Sequence, residues 1–98
     1  MAWRITWSPT ARMDLKGIFE YISEDNPTAA HHFVSGLIAA IENLAEFPKS
    51  GRVVPEFRED TIRELIHRPY RLVYRLDETA KSLEVVRLWH AARGIPEL

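Results

Sequence analysis

The sequence predicts an α+β fold in which one strand, a helix hairpin and a strand meander follow in order, β-α-α-β(3 or 4). Three observations carry this: two hydroxyl- or amide-then-proline helix starts, at Ser8-Pro9 and Asn26-Pro27; helical spacing of apolar residues after each; and strict alternation from Tyr70 to Asp77. The hairpin is expected to cover one face of an antiparallel sheet and to leave the other face to arginines.

Trp3, Ile5 and Trp7 alternate with Arg4 and Thr6, which puts three apolar side chains on one face of a short strand. Ser8 then offers an oxygen to the free N–H groups of a first helical turn. Pro9 already has helical φ and lacks a donor that would go unused. Ala11, Leu15, Ile18, Phe19 and Ile22 recur on one face of the helix that follows. Asn26-Pro27 repeats the device, so the first helix ends near Asp25 and the second begins at once; so short a link forces an antiparallel hairpin. In the second helix Ala30, Phe33, Val34, Leu37, Ile41, Leu44 and Ala45 form the core stripe, widened by Ile38, Ala40 and Phe47. Glu42 and Glu46 are its only charged residues, so it needs cover on more than one side.

Pro48, Gly51 and Pro55 mark a long loop up to Thr61, with a short edge strand about Arg52 to Val54. A strand from Ile62 to Arg68 meets a tight turn at Pro69. Tyr70, Leu72, Tyr74 and Leu76 then alternate with Arg71, Val73, Arg75 and Asp77. After a turn over 77–82, Leu83 to His90 closes the meander. There both parities mix apolar and polar residues, and alternation does not orient the strand.

Ninety-eight residues make a single domain spanning 1–98 with one core. A chain this short buries only about 60 to 65% of its unfolded surface, which makes a stabilising partner expected. Without cysteine there are no disulfides and no thiolate metal sites. Met1 to Trp7 lacks the pattern of a signal peptide, and no apolar run approaches the ~20 residues of a membrane span, so a cytoplasmic protein is expected. The net charge of −1 hides an asymmetry: residues 1–47 hold three bases against six acids, and residues 48–98 hold ten against eight. That excess suits an anionic partner for the second half, yet falls far short of a protein that holds nucleic acid by phosphate contacts alone.

The candidate chemistry lies in Lys49, Arg52, Arg58, Arg63, Arg68, Arg71, Arg75, Arg87 and Arg93, with His67 and His90. Arginine outnumbers lysine, and its planar fork binds phosphate or carboxylate bidentately. Pairing with Glu56, Glu64, Asp77 and Glu84 on a solvated face accounts for most such residues. Arg71 stands apart, within a strand on the face opposite the tyrosines. His31 and His32 are neighbours, so a helix points them about 100° apart and they cannot share an ion. No metal, no cofactor, no glycine-rich phosphate loop and no nucleophile elbow are expected.

Trp7-Ser8-Pro9 with Ala11 and Asp14-Leu15, Phe47-Pro48 with Gly51-Arg52, Ile62-Arg63-Glu64-Leu65, Tyr70-Arg71-Leu72-Val73-Tyr74-Arg75 and Trp89-His90-Ala91-Ala92-Arg93 occur in the order and spacing of one family. Over nearly its whole length the chain resembles the RelE/ParE superfamily of bacterial toxins. The resemblance implies the toxin of a type II toxin-antitoxin pair, held inactive by a small antitoxin whose C-terminal segment wraps it. It also implies that the first strand lies beside the last.

Two activities follow from the resemblance. A RelE-like toxin cleaves mRNA on the ribosome, which would make Arg71 the phosphate-binding arginine, His90 the acid or base, and Glu56 a weaker candidate base. A ParE-like toxin poisons DNA gyrase by binding it, and Arg52, Arg63, Arg75, Arg87 and Arg93 would then form the target surface. The isoelectric point near 6.4, the Ala91-Ala92 pair where the nuclease branch commonly has an aromatic residue, and the scarcity of lysine favour the ParE-like reading. On that reading Arg71 braces acidic groups across the sheet and His90 caps the last strand. Phe19 and Ile38 are the expected antitoxin contacts. A third reading is a homologue that binds an antitoxin without being toxic.

Overall fold

Helix starts and strand alternation act where expected. The computed structural model describes residues 2–98: β1 (Arg4–Trp7), α1 (Pro9–Ser23), α2 (Pro27–Glu42) with a 3-10 turn at Asn43–Ala45, β2 (Arg52–Val53), β3 (Ile62–His67), β4 (Tyr70–Asp77), β5 (Ser82–His90) and a 3-10 turn at Ala91–Arg93. Ser8 Oγ accepts from Ala11 N at 3.0 Å and Asn26 Oδ1 from Ala29 N at 3.1 Å. Each cap contributes about 1 kcal/mol relative to alanine.

The sheet order is β1-β5-β4-β3-β2. β2 to β5 form the antiparallel meander, and β1 lies beside β5 in parallel, with Arg4 opposite Ser82 and Trp7 opposite Val85. The sheet is therefore mixed rather than wholly antiparallel. Parallel neighbours need a long crossover, and the helix hairpin plus the meander supply it.

A β-bulge explains why alternation fails in β5. Val73 pairs with Arg87 and Tyr74 with Val85, so Val86 is an extra residue on its strand. Before the bulge, Leu83 and Val85 face the helices; after it, Leu88 and His90 do. Val86, Arg87 and Trp89 face the other way.

On the helix side Leu72, Val85 and Leu88 pack with Ala11, Ile18, Leu37 and Ile41, while Tyr74, Leu76 and Leu83 pack with Leu44. Each fully buried aliphatic side chain here stabilises the fold by roughly 1.5–3 kcal/mol. The opposite face is not left to arginines. Val54, Ile62, Val73 and Val86 form a second buried cluster there, against which Phe57 packs. The segment after β2 makes this cover by turning back on itself, Val54 N bonding to Ile62 O and Phe57 N to Val54 O.

Two joints fix the frame. Gly51 N donates to Tyr74 Oη at 3.0 Å, and that hydroxyl donates to Pro48 O at 2.7 Å. A Cβ on Gly51 would lie 2.5 Å from Tyr74 Oη and 2.6 Å from Glu64 O, so only glycine fits. At the other end β1 stops at Trp7, and α1 covers the edge of β5 beyond it. Ser8 Oγ donates to Val86 O at 3.0 Å, and Asp14 Oδ2 accepts from Leu88 N at 2.9 Å. Both backbone groups would otherwise be unpaired. No helix among the described residues is long and apolar enough to cross a membrane.

Candidate functional site

Arg71 is the most constrained charged side chain of the sheet. It lies on the face away from the helices, diagonal to Glu64 on β3. Arg71 Nε donates to Glu64 Oε1 at 2.6 Å and Nη2 to Glu64 Oε2 at 3.3 Å. Nη1 and Nη2 grip the two oxygens of Glu56 at 2.9 and 2.7 Å, and Nη1 also reaches Gly94 O at 3.3 Å. All five guanidinium N–H groups are thereby engaged. The Glu64 side chain is fully out of solvent and that of Arg71 only 9% exposed; Arg52 Nε adds a bond to Glu64 Oε2 at 2.7 Å. Arg71 holds the Glu56 carboxyl down from 4.5 to about 2. The hydrogen bonds that Arg71 donates to Glu56, then those to Glu64, in turn raise the Arg71 pKa, against the effect of burial.

The same arginine ties down the chain after β5. Gly94 O also accepts from Trp89 Nε1 at 3.2 Å, and Gly94 has φ +82°, a conformation open to glycine. Two guanidinium groups lie over the Trp89 ring, Arg93 at 3.8 Å and Arg87 at 4.8 Å. Arg87 is itself paired with Asp14 at 2.9 Å and donates to Glu97 O at 2.9 Å.

His90 points the other way. It pairs with Tyr70, the residue before Arg71, so successive side chains of β4 place Arg71 and His90 on opposite faces of the sheet. His90 Nδ1 accepts from Ala92 N at 3.1 Å and caps the closing 3-10 turn. Its ring meets Tyr70 edge-on at 5.2 Å, and Tyr70 in turn meets Phe33 at 5.8 Å. Burial, then the neighbouring Tyr21, raises the Tyr70 pKa. These rings line a groove of about 490 Å³ with Tyr21, Ile22 and Pro69, and a second hollow of about 260 Å³ sharing Tyr21, Tyr70 and His90 extends along α1 toward Met13, Gly17 and Arg93.

The remaining residues expected at a site are scattered. Arg63 faces the helix side, paired with Asp60 and bonded to the carbonyls of Lys49 and Gly51. Arg75 is exposed and has no ion pair among the described residues. Phe19 packs edge-on to His31, while Ile38 lines a separate cleft between α2 and β1 with Trp3, Ile5 and Trp7. No group of three or more His, Asp or Glu side chains among the described residues could hold a metal ion. The sequence offered Glu64 only as a partner for arginines on a solvated face, although it shares parity with Ile62 and Ile66 and so marks a carboxylate on an apolar face, where it is buried. Sequence reasoning passed over Met13 and Tyr21, apolar residues off the core stripe of α1.

The family model described as the ParE toxin of the type II toxin-antitoxin system, parDE, matches residues 5–95. The chain is 34% identical to the Sinorhizobium fredii protein Y4kP over 97 residues, 97% of this chain and 95% of that one. It is also 34% identical to toxin RelE2 of Caulobacter vibrioides over 91 residues, 92% and 97% of the two chains. Among solved structures, the chromosomal ParDE toxin-antitoxin system of P. aeruginosa contains a chain that superposes with TM-score 0.72 at 21% identity, covering 91% of this chain and 96% of that one. A chain of the RelBE2 complex of Mycobacterium tuberculosis gives 0.59 at 24%, covering 92% and 99%. With its family model matched from β1 to past the end of β5, this chain belongs to the ParE toxin family of type II toxin-antitoxin systems.

Proposed function

We propose that this toxin acts in the cytoplasm by binding a protein target, DNA gyrase, rather than by cutting RNA, and that a small cognate antitoxin neutralises it. The observation that carries the reading is the state of Arg71, whose donors are all held by Glu56, Glu64 and Gly94 while His90 lies on the opposite face. Cleavage through a ribose 2′-OH needs a base, an acid and cations that converge on one phosphorane, each within about 3 Å of the atom it serves. A phosphate reaching Arg71 would have to displace a carboxylate. The near-neutral charge also supports a protein target over ribosomal RNA.

The test is to induce the chain without its antitoxin and to measure gyrase supercoiling and DNA breakage beside mRNA 5′-end mapping. Gyrase inhibition with intact transcripts is expected. Codon-phased transcript ends that vanish in Arg71→Ala and His90→Ala would instead select ribosome-dependent mRNA cleavage. Undisturbed growth would select the non-toxic antitoxin-binding homologue.

A further inference from the structure

α1 carries an apolar stripe that the core does not use. Met13 is 67% and Tyr21 73% exposed. They stand one turn either side of Gly17, above which an added Cβ would meet no atom within 4 Å. Residues four apart share a line along a helix surface. Gly17 is thus a notch between two bulky apolar walls, and it opens sideways onto the Tyr21, Tyr70 and His90 groove. Single exposed apolar residues need no explanation, but a stripe continuous with an aromatic groove marks a docking surface.

The polar groups along this surface specify its occupant. Arg93 is held flat on the Trp89 ring and has no carboxylate partner among the described residues. Asp14, the acid lining the hollow, is occupied by Arg87 and the Leu88 N–H. His90 Nδ1 accepts from the Ala92 N–H, which puts the ring proton on Nε2 as a donor. Both free groups are donors and complement a carboxylate. Glu20 and Glu24 are exposed beside Tyr21 and disfavour a polyphosphate chain on the outer flank.

We infer that the Met13–Gly17–Tyr21 notch and its groove seat an apolar, acidic segment of the antitoxin. A bulky apolar side chain enters the notch and a carboxylate meets Arg93. The inference rests on the antitoxin pairing proposed above and assigns it a surface other than Phe19 and Ile38.

The test uses the protein encoded beside this chain, titrated against the purified wild type, Gly17→Leu, Gly17→Ala, Arg93→Ala and Arg93→Lys. Leucine and alanine are better helix formers than glycine, so both Gly17 variants should melt at or above the wild-type temperature. Antitoxin affinity should nonetheless fall ~10-fold or more in Gly17→Leu and less in Gly17→Ala. Arg93→Ala should weaken binding by roughly 5-fold, more at low salt than at high, with Arg93→Lys recovering part of the loss. A folded Gly17→Leu that binds the antitoxin as the wild type does would overturn the inference and leave the pairing intact. Absence of binding by the wild type would overturn both. Binding of a single-stranded RNA oligomer that is lost in Gly17→Leu while antitoxin affinity holds would reassign the groove to nucleic acid.

Discussion

Arg71 and Glu64 meet side-on across the β3–β4 ladder, Nε to Oε1 at 2.6 Å and Nη2 to Oε2 at 3.3 Å, with neither side chain open to water beyond 9%. Removing one partner strands the other, whereas removing both with apolar replacements of similar volume does not. Arg71→Met should therefore lower stability by about 3 kcal/mol, and Arg71→Met with Glu64→Leu should recover most of that loss. Urea unfolding of the three proteins measures it; a double variant no better than the single one would refute the account. Loss of toxicity in an Arg71 variant is consequently no sign of catalysis unless its stability has been matched.

Acid should loosen the same network through Glu56. Its folded pKa is depressed from 4.5 to about 2, first by the hydrogen bonds from Arg71. A depressed carboxylate contributes stability that is present above the unfolded pKa and lost as pH falls through the folded one. Between pH 4.5 and about 2 the wild type should lose more stability than Glu56→Gln. Melting temperatures taken across that window would expose a wrong assignment as two parallel curves.

His90 separates a capping role from a proton-transfer role. Asparagine can accept from the Ala92 N–H as His90 Nδ1 does but cannot act as a general acid or base. His90→Asn should arrest growth to within roughly twofold of the wild type, while His90→Leu should lose about 1 kcal/mol of stability with the cap. Arrest abolished in a folded His90→Asn would favour nuclease chemistry.

Gly51 should tolerate no side chain. Its Cβ position overlaps Tyr74 Oη and Glu64 O, and the latter is backbone that cannot swing away. Gly51→Ala is expected to cost about 2 kcal/mol by overpacking. Thermal unfolding beside Tyr74→Phe, which removes the hydroxyl but keeps the glycine, distinguishes lost space from lost hydrogen bonds.

The parts of the fold that were legible in the sequence obey local rules. Ser8 and Asn26 announce their helices because a cap and a proline act within one turn. Tyr70 to Asp77 announces β4 because a strand buried on the helix side alternates. The placement of β1 beside β5 came only through family resemblance, and its parallel direction was not foreseen, since strand pairing across the chain leaves no local mark. β5 was opaque because its alternation breaks at Val86, and a bulge is a property of two strands together. The arginines of the meander were visible as a set, but not their fates. Arg52, Arg63, Arg71 and Arg87 are drawn into contacts with residues distant in sequence, and partner choice at that range is set by the fold.

Val86 also works as a phase shift along β5. Ahead of it the strand runs in step with the core, as Leu83 and Val85 do. Behind it the order is exchanged, so that Trp89 looks toward Arg71 and His90 toward the helix groove. Loss of this one residue would restore plain alternation and keep Trp89 and His90 where they are, whereas a flat strand that retained Val86 would exchange the surfaces that Trp89 and His90 serve. Flattening the bulge, not deleting Val86, is thus equivalent to turning the last third of the strand inside out.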